Sequence, residues 1–405
     1  MRIGLFTDQY YPSISGVVTS IKMLYEGLTD LGHECFIFTS YDEKKALPNE
    51  ELLGKNIINI PGRPYPFKNL RDYRYSFTHR RFLKYVEECN LDIIHVHTEY
   101  NIAKLARLAS KKFSIPLVHT LHTLWSDYFK YVSPFFDKHA HKQMEKLLRG
   151  LFLNPVSKQS CIEIVPTKKV LDQKEIYGLG DDVRVIPTGI DINRFNQNNF
   201  SKDEILSLKH RLGIKDDQFV FLYIGRTSKE KSISVLLKSY ANACKDNDNA
   251  VFLIVGGGPE LDELKELANE LGINKHVIFT NLISWEEIPK YYQLGYIFLN
   301  ASQTETQGLT YIEALASSVP ILIQRDDCVS FIVDDYYNGI FFDGEDDLAL
   351  KMKEILRAPD TLKKIKANTS KSIEKYSKEN YSKNVLEIYN EAIEKFKLNN
   401  RKALK

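Results

Sequence analysis

The sequence predicts an α/β protein built from two open, mostly parallel sheets, each covered by helices on both faces. Three observations carry that prediction. Short apolar runs alternate with helix-length segments rather than with hairpin turns. The alternation breaks in a polar stretch at 193–217 and then starts afresh. At 405 residues the chain is also longer than one ordinary hydrophobic core.

Taken in order, Arg2 to Phe6 is a compact buried-strand run, followed by a loop through Pro12 and Gly16. A helix from about Val17 to Leu31 ends at Gly32, where the missing Cβ suits a C-cap. CFIFTS at 35–40, NIINI at 56–60 and DIIHVH at 92–97 read as the next strands. IPLVHT at 115–120, FLNPVS at 152–157 and VRVIPTG at 183–189 complete the first sheet. Residues 193–217 read as a linker plus a short helix. Beyond them FVFLYIG at 219–225, AVFLIVG at 250–256, HVIFT at 276–280, YIFLN at 296–300 and VPILI at 319–323 are strands. Helices are expected between them at about 231–244, 260–271, 285–292 and 308–317, and the pattern is helical again from about 378. The expected organisation is an N-terminal domain over 1–195, a C-terminal domain over 196–377, and a last helix at 378–405 packing back toward the N-terminal domain. Open α/β sheets bind ligands beyond the carboxyl ends of their strands, so the site is expected in a cleft between the two sets of loops.

Charge and cysteine usage narrow the function classes. The formal charge of +2 makes no case for a nucleic-acid binder. Lys and Arg nevertheless outnumber Asp and Glu between residues 61 and 150. That excess is either plain solvated surface or a patch facing an anionic membrane or substrate. Five scattered cysteines with no CxxC pair fit reduced thiols, not a disulfide framework or a zinc site. MRIGLFTD enters a strand directly and lacks the apolar core of a signal peptide, and no 18-residue apolar run is present. The expected location is cytoplasmic, with any membrane contact peripheral and on the inner face.

The most informative segment is ASQTETQGLTYIEALASSVP at 301–320. Glu305 follows a buried strand, where a carboxylate can accept hydrogen bonds from sugar hydroxyls. Gln307-Gly308-Leu309-Thr310 opens a helix whose first amides are unpaired and can hold a phosphate. Glu313 lies on that helix, far enough along for one carboxylate to grip a hexose and the other a ribose. The bland alternative makes Glu305 a helix cap and Glu313 a surface residue. GRTSKEK at 225–231 also follows a buried strand, and Arg226 and Lys231 can both reach one anionic group. A diphosphate leaving group is the anion such a pair would stabilise as a sugar bond breaks, although a solvated charge run looks much the same. The cluster Gly256-Gly257-Gly258-Pro259 permits a tight turn and close backbone approach, as does Ser15-Gly16 in the first loop. His119 and His122 in VHTLHT stand at a strand end, with His119 nearer the core and His122 in reach of substrate. His95 and His97 stand at another, and Asp127, Tyr128 and Tyr131 follow on an acceptor-side stretch.

Together these residues resemble the retaining glycosyltransferases of the GT-B fold, in family 4 of that classification. The family's pair of glutamates with seven residues between them falls on Glu305 and Glu313, and its Gly-Arg…Lys loop falls on Arg226 and Lys231. Its glycine-rich loop falls on 256–259, its N-terminal glycine loop on Ser15-Gly16, and IPTGID at 186–191 is its usual wording before the linker. The resemblance implies that Glu305 contacts the donor hexose, Glu313 the ribose, and Arg226 and Lys231 the diphosphate. The backbone of Gly308, Leu309 and Thr310 would hold phosphate or sugar, and Gly257 and Gly258 would let the nucleotide approach. Gly257 replaces the family's common aspartate, and Ser318 its glycine before Val-Pro. HTLHTLWSDYFKY is similar to the HTxHTxYxxY stretch of bacterial diacylglycerol glucosyltransferases, with Trp125 where tyrosine is usual.

That resemblance implies a UDP-sugar donor with UDP-glucose foremost, no tightly bound cofactor, a membrane lipid acceptor with 1,2-diacylglycerol foremost, and an α-glycoside product, α-glucosyl diacylglycerol. Lys68, Arg71, Arg74, Arg80, Arg81 and Lys84, with Tyr65, Phe67, Tyr73, Tyr75 and Phe77, would then dock the N-terminal domain on anionic lipid. His122 would contact sugar or acceptor without serving as an obligatory base. No strand-end DxD motif marks a metal, although Mg²⁺ through lipid or nucleotide stays open. So do a different donor sugar, a soluble or polyprenyl acceptor, a nucleotide-sugar epimerase or phosphorylase of the same architecture, and a non-catalytic binding protein.

Overall fold

The computed structural model describes residues 1–10, 15–40, 56–60, 62–64, 74–75, 79–122, 143, 146–147, 149–303, 305–326 and 329–403. The chain divides into two compact units, Met1–Gly189 with Lys378–Lys405, and Ile190–Ser377.

In the first unit the strands of the main sheet are β1 (Arg2–Phe6), β2 (Glu34–Thr39), β3 (Ile57–Asn59), β4 (Ile93–Val96), β5 (Leu117–Thr120), β6 (Ile162–Val165) and β7 (Val183–Val185), beside a separate antiparallel pair of two-residue strands, Arg63–Pro64 and Arg74–Tyr75. They form one parallel sheet in the order β3-β2-β1-β4-β5-β6-β7. Successive side chains on a strand leave opposite faces, and the core shows it. Leu5, Ile93 and Val118 join one apolar cluster, while Phe6, Ile94 and Leu117 join another. Helix α1 (Gly16–Asp30) and the last helix of the chain, Lys378–Ala403, cover the first face. They cross so closely that a Cβ on Gly27 would lie 2.1 Å from the Ser382 hydroxyl oxygen. Helices α2 (His79–Glu88) and α3 (Asn101–Phe113) cover the other face.

The second unit repeats the plan with β8 (Phe219–Ile224), β9 (Ala250–Val255), β10 (Val277–Phe279), β11 (Ile297–Asn300), β12 (Ile321–Gln324) and β13 (Gly339–Phe342). The order is β10-β9-β8-β11-β12-β13, again parallel. Every residue of β8 and β9 is buried. Val220, Leu222 and Ile224 pack into one face cluster, and Phe219, Phe221 and Tyr223 into the opposite one. Each such side chain stabilises the fold by about 1.5–3 kcal/mol relative to an exposed position. Two open parallel sheets, each flanked by helices, are the architecture expected of a GT-B protein.

Some elements differ from their expected form. Residues 152–157 are not a strand. Arg149–Leu153 is a π-helical turn and Asn154–Ser157 a short α-helix, with Pro155 in the first turn, where its missing N–H does no harm. The strand of that region is β6, which carries the charged Glu163 at its centre. The short helix expected within 193–217 is Lys202–Arg211, and the stretch before it is itself helical in part. Two 3₁₀ turns lead into Lys202–Arg211, whose start is fixed by a reciprocal capping box between Ser201 and Glu204. Strand β13 and helices Glu345–Arg357 and Asp360–Ser372 are additional to the elements read from sequence.

Candidate active site

In the second unit, three adjacent strands β9, β8 and β11 release their loops at the same edge. The loops after β8 and β9 are laced together through the backbone. Thr227 N donates to Gly257 O at 3.1 Å, and Glu260 N donates to Thr227 O at 3.1 Å. That approach requires glycine. A Cβ on Gly256, where φ is +134°, would sit 2.0 Å from Gly225 O, and one on Gly258 would sit 2.3 Å from Thr227 O. Gly257 is buried and Gly258 exposed.

The loop after β8 also reaches the loop after β11, where the Ser302 hydroxyl donates to Glu230 O at 3.2 Å. Lys231 Nζ donates to Glu305 Oε1 at 2.5 Å, with the two side chains 24% and 15% exposed. Residues 74 positions apart in sequence thus form one ion pair at the strand ends. Arg226 shares the loop but is exposed and forms no ion pair with Glu305 among the described residues. Its carbonyl accepts from the buried Tyr223 hydroxyl at 2.9 Å, which fixes the backbone and leaves the guanidinium outside.

Helix α4 (Leu309–Ala316) begins at Gly308, whose φ of +78° is left-handed. A Cβ there would meet the Tyr311 ring at 2.4 Å. Leu309 and Thr310 are half-buried in its first turn. Glu313 is also half-buried, and its Oε2 accepts from the Tyr292 hydroxyl at 2.8 Å. Burial pushes the Glu313 carboxyl up to about 7, against the Tyr292 hydrogen bond and the positive charge of Arg194. The Arg194 guanidinium lies over the Trp285 ring, 3.0 Å from its centroid. Glu313 is therefore neither a surface residue nor an ordinary acid.

The sign of its effect follows by linkage. The folded carboxyl binds its proton more tightly than the unfolded one, so this contribution to stability is present below about pH 4.5 and is lost as pH rises through about 7. Glu313→Gln is expected to abolish that slope. Thermal melts of both proteins between about pH 5 and 8 check it, with wild type losing ground to the variant as pH rises.

The first unit gathers histidines at the ends of β4 and β5. His95 is buried, with Nδ1 2.7 Å from the Tyr389 hydroxyl and Nε2 2.7 Å from Thr120 Oγ1. His97 Nδ1 is 3.1 Å from His122 Nε2. His119 is clamped between two buried carboxylates, with Nδ1 3.0 Å from Glu163 Oε1 and Nε2 3.1 Å from Glu99 Oε1. Burial alone would lower its pKa, but the hydrogen bonds and charges of Glu163 and Glu99 outweigh it and raise it to about 9. His122 is half-buried and pushed down to about 3 by burial and the His119 charge. Asp8, after β1, is pushed up to about 7 by burial although it accepts from Thr98 Oγ1 and Ile102 N. Ser15 caps α1, its Oγ accepting from Val18 N at 3.3 Å, and Gly16 is exposed at the first helical position. Trp125, Asp127, Tyr128 and Tyr131 lie outside the described residues, as do Tyr65, Phe67, Lys68, Arg71, Tyr73 and Phe77.

Among the described residues no three His, Cys, Asp or Glu side chains converge as metal ligands, and no helix is long and apolar enough to cross a membrane. Sequence reasoning missed Tyr292 and Arg194 beside Glu313, and Glu99, Glu163 and Tyr389 among the histidines. A usable signal was the paired charge and histidine at matching depth on neighbouring strands.

Residues 14–194 match the family Glycosyltransferase Family 4, and residues 205–372 match Glycosyl transferases group 1. The chain is 37% identical over 402 residues to the alpha-monoglucosyldiacylglycerol synthase of Acholeplasma laidlawii, covering 99% of each chain. It is 36% identical over 397 residues to the synthase of the same name from Streptococcus pneumoniae, covering 97% of this chain and 86% of that one. Among solved structures, Anabaena HepE in complex with UDP-glucose superposes with a TM-score of 0.73 at 16% identity, over 96% of this chain and 99% of that one.

Proposed function

The chain belongs to glycosyltransferase family 4, and from that premise we propose that it transfers glucose from UDP-glucose to the free hydroxyl of 1,2-diacylglycerol with retention, giving α-glucosyl diacylglycerol. The observation that carries this reading is the near-full-length likeness to two synthases named for that product. The donor is held by the second unit. Glu305 accepts from hexose hydroxyls, Glu313 from ribose hydroxyls, and Lys231 and Arg226 meet the diphosphate, with the amides of Gly308, Leu309 and Thr310 beside it. Gly257 and Gly258 let the nucleotide approach the backbone. Ser15, Gly16 and His122 serve the acceptor side in the first unit.

The reaction follows from these placements. The bond from C1 to the β-phosphate oxygen breaks, and the acceptor oxygen bonds C1 on the same face. The departing β-phosphate takes the acceptor's proton, while Lys231 and Arg226 stabilise the charge growing on the diphosphate. Lys231 and Glu305 form one ion pair, so the cation for the diphosphate and the carboxylate for the hexose stand side by side.

A lipid acceptor stays in its bilayer, and the first unit has a surface suited to reaching it. Arg80, Lys111 and Lys112, with Leu83 and Leu108, line a cavity of about 450 Å³ between α2 and α3. Arg81, Lys84 and Tyr85 are exposed on α2 beside it. Cations near anionic headgroups are each worth about 1 kcal/mol, so three give roughly a hundredfold in partitioning. The proposed location is therefore the inner face of the cell membrane, held there peripherally.

Incubation with a panel of UDP- and GDP-sugars and vesicles containing diacylglycerol tests both statements. The expected result is α-glucosyl diacylglycerol from UDP-glucose, with vesicle binding that falls by an order of magnitude or more when anionic lipid is omitted or salt is raised. UDP release that ignores lipid overturns the acceptor. Equal binding to neutral and anionic vesicles overturns the docking surface.

A further inference from the structure

We propose that His97 is a positioning residue that fixes the tautomer of His122, so that His122 offers substrate an Nδ1–H donor and no basic nitrogen. Two strand ends bring the pair together, with His97 Nδ1 3.1 Å from His122 Nε2 and the rings at an interplanar angle of 21°. One proton lies between those nitrogens, and the other end of His97 decides whose it is. His97 Nε2 is buried and has no hydrogen-bond partner among the described residues. Orphaned N–H groups are rarer in protein interiors than under-satisfied acceptors. A neutral imidazole has a single N–H, so in His97 it sits on Nδ1 and is donated to His122 Nε2. His122 Nε2 is then the acceptor, and its own proton belongs on Nδ1. His122 is partly exposed, and that nitrogen has no partner among the described residues.

Both rings must be neutral for this to hold, and their surroundings enforce it. Each nitrogen of His119 faces a carboxylate oxygen, so both are protonated and the ring is an imidazolium. Burial of the cluster, with the His119 charge adding to it, holds His97 and His122 well below the ordinary histidine range. Glu99 and Glu163 are committed to His119, and Glu163 also accepts from Ser157 Oγ at 2.9 Å and Gly180 N at 2.5 Å. His95 completes the enclosure. Its ring centroid is 4.0 Å from that of His97, and Tyr389 and Thr120 hold it at both nitrogens.

With its outward nitrogen protonated, His122 donates to a hexose or acceptor oxygen, and the acceptor's proton leaves with the diphosphate. That His122 meets substrate at all rests on the transferase reading above; the tautomer does not, and is measured separately. Long-range ¹H–¹⁵N correlation on the ¹⁵N-histidine-labelled full chain reads it directly. The expected spectrum shows His97 and His122 both as neutral Nδ1–H tautomers, unchanged between about pH 6 and 8. A proton on His122 Nε2, or a His122 that titrates in that interval, overturns the proposal whatever the enzyme's activity. In turnover with UDP-glucose and diacylglycerol vesicles, His97→Phe is expected to lower kcat about 10–100-fold with little change in the KM for UDP-glucose, as loss of an orienting partner does elsewhere. His97→Asn, whose amide nitrogen can stand where Nδ1–H stood, is expected to recover most of that loss and to keep the His122 tautomer. Equal losses in the two variants, or none in either, overturn it.

Discussion

Glu305→Gln is expected to lower kcat by about 10²–10³-fold while the protein remains folded. In the proposed donor site the carboxylate accepts hydrogen bonds from the sugar on which charge develops in the transition state, and losing one such preorganised group costs about 3–4 kcal/mol of barrier. The cost to folding is smaller. Its pair with Lys231 is partly solvated, at 24% and 15% exposure, and a charged hydrogen bond of that kind contributes about 1–2 kcal/mol. The catalytic term exceeds the structural one, so kcat should fall far more than the melting temperature, which is expected to drop by only a few degrees. Single-turnover kinetics beside a thermal melt separate the two. Turnover within about threefold of wild type would falsify the donor assignment.

His119→Leu has the largest expected effect on stability, about 3–5 kcal/mol. It removes the imidazolium and leaves Glu99 and Glu163 buried without their counter-charge, and breaking a buried ion pair from one side costs that much. An independent route gives a similar size. A histidine moved from 6.5 to about 9 by folding contributes about 3 kcal/mol. Because the folded pKa is the higher one, this contribution is complete below about pH 6.5 and is lost as pH rises through about 9. Denaturant unfolding at about pH 6 and pH 9.5 checks it. Wild type should be much the more stable at the lower pH, and the gap should narrow at the higher. A gap of the same size at both would mean that the cost is one of packing and not of charge.

The sheets were legible because parallel strands buried on both faces read as continuous apolar runs, as FVFLYI and AVFLIV do. The close approach of two strand-end loops was legible because a glycine directly follows each of those runs, Gly225 after β8 and Gly256 after β9. What was hidden depended on partners remote in sequence. Glu163 interrupts IEIV and disguises β6 as polar, and only the register of β5 against β6, which sets His119 opposite Glu163, makes a carboxylate tolerable there. Asn154-Pro155 lies in an apolar segment that looks like a strand, yet a proline in a first helical turn fits a helix equally well. Tyr292 and Glu313 lie 21 residues apart, so the burial that raises the glutamate's pKa could not be read from its neighbours.

The helix Lys378–Ala403 belongs to the first unit although 188 residues of the second precede it. During vectorial synthesis the second unit emerges whole, whereas the apolar face of β1 and α1 waits uncovered for Tyr381, Val385, Tyr389 and Ala392. The first unit is therefore expected to mature last, reversing the usual N-terminus-first order. A nascent chain stopped short of this helix would lack both the cover over Leu5 and Leu24 and the hydroxyl that steadies His95, which exposes incomplete products to quality control before they can act.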